Sequence, residues 1–177
     1  MDDKEFERLL LSVQKPGRYS GGEINSVVKD KNKVDVRFAF CFPDTYEIGM
    51  SHLGIKILYS QFNERDDIWC ERVFAPCEDF EKIMREKNIP LFGLESRDSI
   101  RDFDFIGFTL QYEMSYTNIL NMLDLAGVPL RAADRTELSP LVVAGGPCCS
   151  NAEPIADFFD LFFLGEGEEV DLEVIDL

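Results

Sequence analysis

The stretch LVVAGGPCCSNAEPIADFFDLFFLGEGEEV, Leu141 to Val170, holds two short apolar runs, LVVA and LFFL, and each stops at glycine. Runs this short and apolar throughout predict strands covered on both faces, as in a parallel sheet with helices above and below. Upstream, VDVRFAFC (Val34–Cys41), WCERVFA (Trp69–Ala75) and FDFIGFTL (Phe103–Leu110) predict three more strands. Helical spacing fills the gaps at Gly49–Asn63, Glu78–Lys87 and Ser115–Ala126, with a short helix near Glu153–Phe158. Five strands alternating with helices predict an α/β, doubly wound parallel sheet of the flavodoxin-like or Rossmann-like class. Its usual order, 2-1-3-4-5, puts a ligand crevice beyond the carboxyl ends of the strands, where the order reverses.

Residues 1–32 precede this pattern as an extension. Phe6, Leu9, Leu10 and Val13 share one helical face, the helix must stop before Pro16, and RYSGGEINSVVKD follows as a loop. The α/β domain is expected over 33–170. Residues 171–177 begin a further helix, with Val170, Val174 and Leu177 on one face.

At 177 residues and 45% apolar, the chain can bury one full core. Its 18 Lys and Arg against 34 Asp and Glu give a net charge of −16, which opposes nonspecific binding to nucleic acid or to an anionic membrane. No apolar run approaches the ~20 residues that span a bilayer, and MDDKEFERLLLSV lacks the basic start of a signal peptide, so a cytoplasmic protein is expected. The five cysteines, at 41, 70, 77, 148 and 149, form no CxxC pair and read as reduced thiols. With one histidine, His52, the chain offers no ligand set for a structural metal.

Four strands run into polar, glycine-rich stretches: FPDTYEIGMS, TLQYEMSYTN, GGPCCSN and GEGEE. Each alone is explained by a tight turn, with Glu166, Glu168 and Glu169 complementing a helix dipole. Together they converge on one edge, where glycine backbone can approach a ligand closely. There is no GxGxxG after the first strand and no GxxxxGKS or GxxxxGKT, so the phosphate-loop nucleotide folds lose support. Glu47 with His52, or Glu113 with Tyr112, can be paired on paper as acid and base, but carboxylates at helix starts need no catalytic reason, and no catalytic residue is assigned. Phe103, Phe105, Phe108, Phe158, Phe159, Phe162 and Phe163 read as core, and the adjacent Cys148 and Cys149 as small thiols beside a loop.

Taken in order, FPDTYEIGMSHLGIKILYSQFN, FDFIGFTLQYEMSYTNILNMLDLAGVPL, LVVAGGP and NAEPIADFFDLFFLGEGEE resemble the N-terminal region of a family of radical S-adenosylmethionine proteins, over about Lys15 to Val170. In that family a cobalamin-binding-like Rossmann domain precedes the radical domain. The resemblance implies an accessory domain that binds cobalamin or positions an unknown substrate. In related enzymes the corinoid lies over the carboxyl edge without a histidine on cobalt. The D-x-H-x-x-G motif of histidine-ligated domains is absent here, since Met50 and Ile55 stand where Asp and Gly would, so His52 reads as a residue of a first helical turn. The matched loops nominate Gly49, Met50 and Ser51, then Thr109, Leu110 and Gln111, then Gly145, Gly146 and Pro147, then Gly165, Glu166 and Gly167. The family's CxxxCxxC cluster motif does not occur. The 4Fe–4S cluster and S-adenosylmethionine are therefore expected in a C-terminal radical domain beyond Leu177, whose absence would leave an apolar face open to self-association. A ligand-free module packed on the radical barrel, and a flavodoxin-like domain holding another small cofactor, stay open as alternatives.

Overall fold

A computed structural model describes residues 3–137 and 140–176. The elements run α1 (Asp3–Leu10), β1 (Val36–Phe42), α2 (Tyr46–Ser51), α3 (Leu53–Glu64), β2 (Ile68–Phe74), α4 (Glu78–Lys87), β3 (Phe105–Thr109), α5 (Tyr116–Ala126), β4 (Leu141–Gly145), β5 (Leu161–Phe162) and α6 (Gly167–Ile175). All strand pairs are parallel, in the order β2-β1-β3-β4-β5, as the alternation predicts.

The period-two alternation of side chains divides the core into two layers. On one face Ala39 and Cys41 of β1, Ile106 and Phe108 of β3, and Val142 and Ala144 of β4 meet α1, α4 and α5 through Phe6, Leu10, Phe80, Met84, Ile119 and Leu123. On the other face Phe38, Phe40 and Phe42 of β1 and Val143 of β4 meet Ile55, Tyr59 and Phe62 of α3, with Leu172 and Ile175 of α6 against them. Each buried Phe, Leu or Ile contributes ~1.5–3 kcal/mol. The N-terminal extension is part of this core, because Phe6, Leu9, Leu10, Val13 and Tyr19 are all buried.

The structure differs from the sequence reading in three places. The helix expected over Gly49–Asn63 is broken at His52, whose backbone is extended (φ −77, ψ 124). The imidazole Nδ1 accepts the Ile55 N–H at 3.4 Å, so the side chain caps a new helix instead of continuing the old one. The turn at Glu153–Phe158 is a 3-10 helix, with Pro154 in its first positions. The last strand shrinks to Leu161 and Phe162, at the sheet edge.

The other edge, β2, is covered from the Ile68 carbonyl to that of Arg72. Lys29 Nζ donates to the Ile68 carbonyl (2.6 Å). Asn63 takes both backbone groups of Cys70, donating from Nδ2 (3.0 Å) and accepting at Oδ1 (3.1 Å). The Arg72 N–H donates to Glu95 (2.8 Å), and the Leu94 N–H donates to the Arg72 carbonyl (2.8 Å). Glu95, Gly93 and Ser96 belong to a loop between α4 and β3 that also receives the side chains of β1 and β2. There Arg72 pairs with Glu95 (2.7 Å) and lies over the Tyr59 ring, while Arg37 pairs with Glu71 (2.5 Å) and Asp98 (2.9 Å) and lies over Phe103. The side chains of Arg72, Glu95 and Glu71 are 1%, 0% and 0% exposed, so these charges exist only as pairs.

Candidate functional site

At the carboxyl ends of β1, β3 and β4, on the face covered by α3 and α6, the sheet leaves a cavity of about 170 Å³. Its apolar walls are Phe38 and Phe40 of β1, Ile55 and Leu58 of α3, Val143 of β4 and Phe163 just after β5. Thr109, Gln111, His52 and Glu168 supply the polar groups, and Gly54, Gly107, Gly145, Gly146, Gly165 and Gly167 bring bare backbone to the space. This is the point where the strand order reverses, since the chain leaves β1 toward α3 on one face and β3 toward α5 on the other.

Glycine has two different uses here. At Gly146 φ is +105, and a Cβ would stand 2.9 Å from the Leu110 carbonyl oxygen and 3.1 Å from its nitrogen, both backbone. At Gly145 a Cβ would meet nothing within 4 Å, because it would point into open space.

Six of the twelve nominated residues line the cavity: Thr109, Gln111, Gly145, Gly146, Gly165 and Gly167. The other six lie elsewhere. Gly49 is packed under Phe74, Met50 Sδ accepts from Arg72 on the β2 side (3.7 Å), and Ser51 Oγ donates to the Glu47 carbonyl. Leu110 is buried in the opposite layer, Pro147 starts a 3-10 turn, and Glu166 is the exposed N-cap of α6. The sequence reading missed the side walls, Phe38, Phe40, Ile55, Leu58 and Phe163.

The paper pairs do not form. The Glu47 carboxylate turns to the N-terminal segment, where Lys15 (3.1 Å) and Arg18 (2.9 Å) hold it, and Tyr112 donates to Asp44 (3.1 Å) rather than to Glu113. Hydrogen bonds from Lys15 and Arg18 hold the Glu47 carboxyl at about 2, below its ordinary 4.5. A depressed folded-state value stabilises above the unfolded one, so this latch is complete above about pH 4.5 and is lost as the pH falls toward 2. Proteolysis within residues 11–22 should therefore rise over that window. Glu47→Gln should remove the pH dependence, and an unchanged profile in that variant would refute the latch.

Cys148 and Cys149 are not in the cavity. Burial pushes both thiols up, Cys149 to about 11, which leaves them protonated at neutral pH. All five cysteines are free. Among the described residues no group of three or more His, Cys, Asp or Glu could hold a metal ion, and no helix is long and apolar enough to cross a membrane.

A five-stranded doubly wound domain with a glycine-bordered cavity at its switch point defines the class. Residues 54–177 match the family described as radical SAM proteins, N-terminal, and the chain belongs to that family. It is also 31% identical over 140 residues to Uncharacterized protein MJ0966 of Methanocaldococcus jannaschii, a match that covers 77% of this chain and 26% of the relative. The chain thus spans about a quarter of the curated relative's length.

A corinoid can be tested against the cavity by size. About 170 Å³ is below the ~300 Å³ at which pockets begin to enclose a drug-sized ligand, so a corrin macrocycle does not enter. The volume is of the order of a flat ring or short chain, and a macrocycle would have to lie outside, across the carboxyl edge.

Proposed function

We propose that this chain is the accessory domain of a radical SAM protein and that its carboxyl edge holds a corinoid, with a flat appended group in the cavity and the macrocycle over the loops outside. The reading is carried by the cavity itself, an apolar space opening where the sheet order reverses. Phe38, Phe40, Ile55 and Phe163 would hold the inserted group, and the backbone at Gly145 and Gly165 would let the larger part approach closely. A corinoid bound there supplies cobalt-centred alkyl transfer. The residues of this chain bind and orient it and exclude water from the inserted part. The 4Fe–4S cluster and S-adenosylmethionine belong, in this reading, to the radical domain of the parent protein.

A second reading, a packing module without a ligand, has its own support. Met114 (85% exposed), Leu164 (69%), Leu53 (68%) and Ile48 (52%) stand on loops and helix starts at the same edge. These residues suit a surface that another domain covers.

Titration with hydroxocobalamin, followed by corrin absorbance, separates the two. A saturable spectral change in the micromolar range is expected, and no change at high micromolar ligand would sink the corinoid reading.

A further inference from the structure

We infer that the cavity selects its ligand by charge, taking a neutral or cationic flat group and rejecting an anionic one of the same shape. The inference rests on reading the carboxyl edge as a ligand site, but not on the ligand being a corinoid.

Cations are missing from the cavity's surroundings by sequence. No Lys or Arg occurs between Arg37 and Lys56, between Arg101 and Arg131, or after Arg135, and those stretches contain every loop at the cavity's mouth. Lys15 and Arg18 reach the edge from the N-terminal segment, but both end on Glu47. Lys56 of α3 lines a separate groove with Asn25, Val27 and Tyr59.

At the helix ends beside the cavity one N–H of α3 is already taken, and acidic residues stand at the start of α6. A helix N-terminus offers unpaired N–H groups and a positive dipole end, and in this fold class it often faces the ligand. At α3 the His52 imidazole already takes the Ile55 N–H on Nδ1 and occupies the helix end where an anion would sit. At α6 the N-cap is Glu166, and Glu168 of the first turn lines the cavity. An anion entering here would lose hydration and find no Lys or Arg but an acidic residue, Glu168, among the lining residues. A neutral ring meets Phe38, Phe40 and Phe163, and a cationic one has those rings and Glu168.

The test uses rings sized to the cavity: quinoline, N-methylquinolinium and quinoline-6-carboxylate, with flavin mononucleotide as a larger anion. Binding to the 177-residue chain is measured by calorimetry and ligand-observed NMR at low salt and mildly alkaline pH. The neutral and cationic rings should bind, the carboxylate should bind at least about tenfold more weakly, and flavin mononucleotide should show no binding. Glu168→Gln should shrink the gap between neutral and anionic rings to under about threefold, and Gly145→Phe should abolish binding of the neutral ring, which places it in this cavity. Carboxylate binding equal to that of quinoline would overturn the inference, as would failure of every ring to bind. If the rings discriminate while hydroxocobalamin gives no spectral change, the corinoid reading falls and the charge selection stands.

Discussion

Glu95→Ala should cost the fold about 3–5 kcal/mol, the loss typical of removing one partner from a buried ion pair. That is a large share of the ~5–15 kcal/mol that holds an ordinary domain together. Glu95 has no exposed side-chain surface, and its two oxygens accept from Arg72 Nε (2.7 Å) and from the Arg72 backbone N–H (2.8 Å). Burial pushes this carboxyl above its usual range, and the attraction of Arg72 pulls it back. Without it, Arg72 keeps Ser26 (2.8 Å) and the longer contact to Glu23 (3.3 Å), but its guanidinium loses its shortest charged partner in a site 1% exposed. The damage should lie in the stranded charge more than in the lost contact. Combining Glu95→Leu with Arg72→Met should therefore recover at least half of it, since well-packed apolar replacements of buried pairs are often neutral. Urea denaturation measures both variants. A single-variant loss under about 1 kcal/mol would show that Arg72 does not depend on Glu95.

The second large effect separates two adjacent glycines. Gly146→Val puts a β-branched residue at φ +105 and a Cβ 2.9 Å from a backbone oxygen that the Cys148 N–H also uses, so neither side can yield cheaply. Strain of this kind costs about 1–3 kcal/mol for the backbone alone, with the steric overlap added, and Gly146→Val should lower the melting temperature by several degrees. Gly145→Phe should leave the melting temperature within about two degrees of the parent, because its Cβ meets nothing within 4 Å and the ring projects into the cavity. It should nevertheless eliminate the hydroxocobalamin spectral change. Thermal scans with matched titrations read both. Loss of stability in Gly145→Phe, or retained binding in it, would dissociate the cavity from the site.

The sheet and its order were legible because a strand buried on both faces, such as FIGFT, has no polar alternation, whereas the intervening helices do. The glycines that end β4 and precede α6 were legible for the same reason, as abrupt stops in apolar runs. The side walls were not. Phe38, Phe40, Ile55 and Leu58 sit in the bodies of regular elements, where a residue facing a void has the same pattern as one facing core. His52 was hidden because a capping imidazole inside a run of helical spacing looks like one more helical residue. The charges of WCERVFA were hidden by distance, since Glu95 and Ser96 lie more than twenty residues from Glu71 and Arg72.

The sequential cover along β2 bears on how copies of this chain can meet. An open edge strand is a template for a strand of another molecule, and it works through unpaired outward N–H and C=O groups. The Ile68 carbonyl and both groups of Cys70 and of Arg72 are already bonded to Lys29, Asn63, Glu95 and Leu94. At the opposite edge β5 is two residues long. Strand addition is thus obstructed at both margins, which leaves side-chain surfaces for association of this domain, among them the carboxyl edge with Met114 and Leu164.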